Sequence, residues 1–187
     1  MRTKMSTHPK GHMPGDLNHK DMIERMIRVD QAGEYGAVRI YKGQLAVLGK
    51  SDKKELLQHM LEQEEVHLDT FNKMAAQRRV RPTFMTPIWH MAGFALGAGT
   101  ALLGEKAAMA CTVAVEETID SHYADQIEEL GESEPELRDT FAKFREEELE
   151  HRDIGYEHGA EQAPGYELLS KAIKSGSRLA IWVSERF

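Results

Sequence analysis

The sequence predicts an all-α protein: a four-helix bundle made of two repeated helical hairpins, an apolar crossover between them, and an amphipathic helix at the C-terminus. Three observations predict it. Apolar residues recur at helical spacing through long segments. The two hairpins echo each other at a nearly fixed offset. No stretch has the strand alternation or tight-turn signals of a β-hairpin.

Each element follows in order. Residues 1–19 are polar, contain Pro9, Gly11, Pro14 and Gly15, and lack the apolar run of a secretory signal, so a disordered tail is expected there. Residues 20–187 have a length that suits one domain with a substantial core. In the first hairpin, 20–80, a helix over 21–48 carries Ile23, Met26, Ile27 and Ile40 and stops at Gly49. Ser51 is expected to cap a second helix, 52–77, with Leu56, Met60, Leu68 and Phe71, and Val66 more weakly, on its stripe. Residues 82–104 hold no Asp, Glu, Lys or Arg, but contain Pro87, His90, Gly93, Gly97 and Gly99; they are expected to form the apolar crossover. The second hairpin, 105–158, begins with a helix over 105–130 that stops at Gly131. Ser133-Glu134-Pro135-Glu136 then reads as a capping box opening the next helix. Pro164 and Gly165 break that helix, and a last one covers 166–185.

Composition narrows the function. A hydrophobic fraction of 41 % and a charged fraction of 29 % suit a globular chain, and a formal net charge of −7 argues against nucleic acid as a partner. Cys111 is the only cysteine, so one chain can build neither an internal disulfide nor a cysteine-based zinc or iron–sulfur site.

The repeat is the strongest functional signal. Glu34 is followed at the same spacings by Tyr41, Gln44, Leu45 and Leu48 as Glu116 is by Tyr123, Gln126, Ile127 and Leu130; the shift from 34 to 116 is 82 residues. Each half then brings a Glu-x-x-His, Glu64 with His67 and Glu148 with His151, shifted by 84 residues. A single such motif means little, because 22 Glu and 9 His in 187 residues give about one by chance. Two in matching helices, each preceded by a matching Glu helix, mean much more. Residues i and i+3 share a helix face. Carboxylate oxygens with imidazole suit iron or manganese. One Glu from each of two helices and a Glu-x-x-His from each of the other two form the di-metal pattern of ferritin-like bundles. The candidate ligands are therefore Glu34, Glu64, His67, Glu116, Glu148 and His151.

Local context adds detail. Gly33 and Gly36 flank Glu34 and leave room for a substrate or a close helix contact. Thr112-Val113-Ala114-Val115 is apolar and turns Glu116 inward; Glu117 competes for the role, and the repeat selects Glu116. Glu146, Glu147 and Glu150 read as surface charges. Asp120 is a candidate to orient a ligand histidine, with Asp69 and Asp153 weaker ones. Tyr123, like Tyr41, packs in the core, lines a channel or is redox-active, and His122 faces the cavity, the core or the surface; Tyr123 and His122 are, with Asp120, candidates to support the ligands from behind.

Several blocks resemble the demethoxyubiquinone hydroxylases of ubiquinone biosynthesis. They are 28–37 (RVDQAGEYGA), 93–104 (GFALGAGTALLG), 111–117 (CTVAVEE), 144–151 (FREEELEH) and 184–187 (SERF). The resemblance runs from about residue 22 to the C-terminus. It implies a ferritin-like fold and a non-haem mono-oxygenase with two iron ions per chain, held by the same six residues. It implies hydroxylation of the ring of 2-polyprenyl-3-methyl-6-methoxy-1,4-benzoquinol by O2, with one oxygen atom entering the ring and the other leaving as water. Electrons come from the quinol or from a reduced nicotinamide. No dinucleotide-binding fingerprint is present, so no dedicated fold for the latter is expected. The rivals are an iron-storage or peroxide-detoxifying ferritin-like protein, which would load iron in large excess over two per chain, and a lipid-binding helical module without metal.

The polyprenyl substrate that the resemblance implies would place the protein at a membrane. A crossing by residues 82–104 would separate the two halves of the metal site, so an interfacial role is expected instead. The last helix sets Leu168, Leu169, Ile173, Leu179, Ile181 and Trp182 beside Lys171, Lys174 and Arg178, a composition that suits a second interfacial element or plain packing on the bundle. The expected location is peripheral: the cytoplasmic face of a bacterial inner membrane or the matrix face of the mitochondrial inner membrane. A lipid-binding partner of the ubiquinone-synthesis complex or a second copy of the chain is a further expected contact.

Overall fold

The computed structural model describes residues 17–187, which form six α-helices and no strand. Of the expected tail, residues 1–16 lie outside the described residues, and His19 already belongs to the first helix. That helix, α1 (His19–Leu48), starts earlier than expected because Asn18 caps it, its Oδ1 accepting from the Asp21 amide at 2.9 Å.

Helix α2 (Lys54–Arg78) starts later than expected. The Ser51 hydroxyl accepts from the Lys53 amide at 3.1 Å, closing the turn ahead of the helix, and leaves the Lys53 cap position without a side-chain bond. Helix α3 (Thr86–Leu102) occupies the crossover, α4 (Glu105–Leu130) ends at Gly131, and α5 (Pro135–Glu157) opens on Pro135. The expected capping box does not form. Ser133 instead donates to the Leu130 carbonyl at 2.7 Å, finishing α4, and Glu134 stands at the cap without a side-chain bond. A short 3-10 turn, Ala160–Gln162, leads into α6 (Tyr166–Arg186).

Helices α1 and α2 pack as one hairpin and α4 and α5 as the other, with α6 lying against α4 and α1. The core has two main apolar clusters. One gathers Tyr41, Leu57, Met60 and Met109; the other gathers Met26, Phe71, Tyr123, Phe141 and Phe144. Helix α4 is buried without interruption from Ala107 to Glu116, as befits a central helix.

The crossover is helical, and its glycines explain how it is held. A Cβ on Gly93 would lie 2.9 Å from the Gly36 carbonyl oxygen, and Cβ atoms on Gly43 and Gly97 would collide with the backbones of α3 and α1 respectively. Backbone therefore meets backbone along α1 and α3. The outer side of α3 is left apolar and exposed, with Ile88, Met91 and Leu102 on it and Phe84 and Leu103 flanking it. Among the described residues no helix is long and apolar enough to cross a membrane.

Candidate metal centre

Glu34 on α1, Glu64 and His67 on α2, Glu116 on α4, and Glu148 and His151 on α5 are all buried, none more than 4 % exposed. Four carboxylates removed from water require positive partners. The side chains converge as two groups. Glu34, Glu64, His67 and Glu148 form one, and Glu64, Glu116, Glu148 and His151 the other; within each, the candidate ligand atoms lie within 4.8 Å of one another. Glu64 and Glu148 belong to both groups, so the two Glu-x-x-His glutamates are placed to be shared, and Glu34 and Glu116 to serve one group each.

Both imidazoles present Nδ1 to the cluster. His67 Nδ1 lies 3.0 Å from Glu148 Oε1 and 3.4 Å from Glu34 Oε2. His151 Nδ1 lies 3.2 Å from both Glu64 Oε1 and Glu148 Oε2.

The electrostatics follow from burial. It raises Glu64 and Glu116 well above the usual carboxylate range, and neighbouring carboxylates, Glu148 foremost, push them further. Burial alone would raise Glu148 too, but bonds and charges from His151 and His67 bring it down to about 2. Burial opposes charge on His67, yet hydrogen bonds to Glu148 and Glu34 carry it up to about 12; His151 rises for the same reason, through Glu148.

The residues fit a pair of metal ions. Both carboxylate oxygens of Glu64, Oε2 of Glu148 and Nδ1 of His151 are buried and, although His151 Nδ1 lies 3.2 Å from Glu64 Oε1 and Glu148 Oε2, make no well-aligned hydrogen bond among the described residues. Oxygen-rich groups with one imidazole each are donor sets for iron or manganese.

The two tyrosines of the repeat exchange halves. Tyr41 donates to Glu116 Oε1 at 3.1 Å, and Tyr123 donates to Glu34 Oε1 at 2.5 Å. The matched glutamines also reach across: Gln44 donates to the Ala108 carbonyl at 3.1 Å, and Gln126 to Asp30 Oδ1 at 3.0 Å. His122 contacts the same Asp30 oxygen at 3.2 Å. Glu117 points away, accepting from Tyr156 at 2.8 Å and pairing with Lys174.

Asp120 does not orient a histidine. It pairs instead with Arg145, whose Nε reaches it from α5 at 2.6 Å. Asp69 and Asp153 are also surface partners, of Lys73 and Arg152. The partners of the imidazoles are two residues that sequence reasoning passed over or misread. Glu147 Oε2 lies 2.7 Å from His67 Nε2, and Gln63 Oε1 lies 2.9 Å from His151 Nε2. Glu147, expected on the surface, is half-turned inward. The signal was available: each residue immediately precedes a motif glutamate, and 63 and 147 are related by the same 84-residue shift.

Beside the centre lies an apolar cavity of about 410 Å³ between α1, α3, α4 and α6. Gly33 and Gly36, which flank Glu34, and Val115, which precedes Glu116, are part of its wall. Trp89 and Ser184 line it too, joined by a 3.0 Å hydrogen bond from the indole to the hydroxyl.

A helical bundle with these two buried carboxylate and histidine groups defines a ferritin-like protein able to hold metal. The match is narrower than that. The family model described as ubiquinone biosynthesis protein COQ7 covers residues 21–184, and the chain belongs to this family. It is 65 % identical over 175 residues to the 3-demethoxyubiquinol 3-hydroxylase of Rhodospirillum rubrum, covering 93 % of this chain and 82 % of that protein. It is 55 % identical over 175 residues to the NADPH-dependent 3-demethoxyubiquinone 3-hydroxylase of Bos taurus mitochondria, covering 91 % and 81 %. The 5-demethoxyubiquinone hydroxylase of Saccharomyces cerevisiae mitochondria is 42 % identical over 196 residues, with 94 % and 84 % covered.

Proposed function

We propose that this chain is a di-iron mono-oxygenase that hydroxylates the ring of 2-polyprenyl-3-methyl-6-methoxy-1,4-benzoquinol in ubiquinone biosynthesis. The observation that carries this reading is the pairing of a buried four-carboxylate, two-histidine centre with an apolar cavity against the same helices. An iron-storage protein has no use for the cavity, and a lipid carrier has none for the buried charges. The relatives named as hydroxylases support the same reading.

In this reading residues 20–187 work as one domain. Glu34 and His67 would hold one iron and Glu116 and His151 the other, with Glu64 and Glu148 available to both. The two irons supply O2 activation. The chain supplies the rest. Tyr123 and Tyr41 fix the carboxylates of Glu34 and Glu116, so that these swing little as the charge of the centre changes. The apolar cavity takes the quinol and excludes water, and the missing side chains at Gly33 and Gly36 let the ring approach helix α1. One oxygen atom enters the ring, and two electrons and two protons carry the other to water. The quinol itself or a reduced nicotinamide provides those electrons.

The substrate's tail sets the location. The exposed apolar residues of α3 and α6, among them Ile88, Met91, Leu179 and Trp182, suit a peripheral position on the membrane. The faces are the cytoplasmic side of a bacterial inner membrane or the matrix side of the mitochondrial one. A lipid-binding partner or a second copy could cover the same residues.

The test is direct. Protein reconstituted anaerobically with two Fe(II) per chain is given a short-chain demethoxyquinol, O2 and a reductant, and products are read by mass. A product heavier by one oxygen atom is expected. No such product, with two irons bound, would overturn the substrate assignment.

A further inference from the structure

The two halves of the centre are related by the repeat, but their support is not the same. Glu147 bonds His67 from the second half, and Gln63 bonds His151 from the first, at matching places in the two motifs. A carboxylate only accepts hydrogen bonds, so Nε2 of His67 carries the proton and Nδ1 is left to face the cluster. The amide oxygen of Gln63 does the same for His151, without a charge. A carboxylate partner makes an imidazole a stronger donor to a metal than an amide partner does.

Other mismatches fall on the same side. Phe144 stacks on the His67 ring, with centroids 4.0 Å apart. Its place in the first half is taken by Met60. Asp30, one turn before Glu34, has Thr112 as its counterpart one turn before Glu116. Opposing cations are few: Lys143 stands 3.5 Å from the other oxygen of Glu147, at a side chain 64 % exposed, and His122 meets Asp30.

We propose that the exchange of Gln63 for Glu147 makes the two metal positions inequivalent, with the position of Glu34 and His67 binding a divalent ion more tightly than that of Glu116 and His151. Glu147 and Gln63 are positioning residues that act through the imidazoles. The inference rests on the metal-centre reading above and adds an order of filling to it.

The test uses the full chain and Co(II) alone as the probe, followed by calorimetry and by the visible absorption of the bound ion. Two ions per chain are expected, bound in two resolved steps. Glu147→Gln should weaken the first step by about 10–100-fold and draw the steps together. Gln63→Glu should strengthen the second step and draw them together from the other side. A structural role alone would weaken both steps in both variants, so strengthening in Gln63→Glu is the distinguishing readout, and it survives if Glu147→Gln fails to fold. Two ions bound with indistinguishable affinity in the unaltered chain, or variants that leave the separation unchanged, would overturn the inference while leaving the metal centre intact. Fewer than two ions in the unaltered chain would overturn both.

Discussion

The hydroxyl of Tyr41, in the first half of the chain, donates to the carboxylate of Glu116, in the second, and Tyr123 returns the bond to Glu34. Each half thus steadies the other's unshared carboxylate. Both tyrosines are about 1 % exposed, so the bonds are made away from water. Tyr41→Phe and Tyr123→Phe should each keep the helical fold and lose about 0.5–1.5 kcal/mol of stability in the metal-free protein, the usual net worth of an intramolecular hydrogen bond. Urea unfolding followed by circular dichroism checks this.

The choice between neighbouring glutamates gives a second prediction. Glu116→Ala should lower bound iron below two per chain, whereas Glu117→Ala should keep it, because Glu117 is taken by Tyr156 and Lys174. Iron per chain, measured after removal of unbound metal, decides the matter.

Metal binding should release protons. Burial first, and then neighbouring charge, pushes Glu64 and Glu116 well above the usual carboxylate range, and His67 is raised to about 12. A metal ion must displace those protons, so affinity should rise with pH across the neutral range. The sign for stability agrees. Groups with raised folded-state values stabilise the metal-free fold fully below their unfolded values, and that contribution is lost as pH rises from there through their folded values. Glu148, lowered to about 2, acts oppositely, losing its contribution only as pH falls from about 4.5 towards 2. Added Fe(II), kept anaerobic, should therefore raise the melting temperature more at pH 8 than at pH 6. Calorimetry in buffers of different ionisation enthalpy counts the protons.

The glycines make separable predictions. Gly97→Ala forces a Cβ into the backbone of Ile40, which has no flexible end to give way, and should cost about 1–3 kcal/mol or more. Gly99→Ala on the same helix meets nothing within 4 Å and should be neutral or stabilising by up to about 1 kcal/mol. Denaturant midpoints of the two variants test the contrast.

Gly36 bears on catalysis. A side chain there has open space at its first carbon and would enter the apolar cavity. Gly36→Leu should fold and bind iron as before, yet lose most hydroxylation of a demethoxyquinol. Iron content beside product mass separates a blocked cavity from a lost centre.

Much of this was legible beforehand. The repeat picked out the side chains that converge in the two groups, because helical spacing fixes which residues share a face, and glycines and prolines marked most helix ends. What stayed hidden depended on three-dimensional neighbours. Ser51 and Ser133 look like caps, but their hydroxyls serve the turns before the helices. The helicity of α3 was obscured by glycines that weaken a helix in isolation and are repaid only when another backbone lies against them. Asp120 looked placed to reach a histidine, but spacing along one helix cannot reveal that Arg145 arrives from another. Glu147 sat among three other acids, and its partner lies on a different helix.

The cross-exchange between halves has a consequence for assembly. His67 is aligned by a residue of the second hairpin, His151 by a residue of the first, and the same is true of Glu34 and Glu116. A hairpin synthesised alone would carry its donor atoms without the groups that aim them. Docking of the hairpins and maturation of the centre should therefore be coupled, and a chain severed between α3 and α4 is expected to bind metal tightly only when its two fragments are mixed.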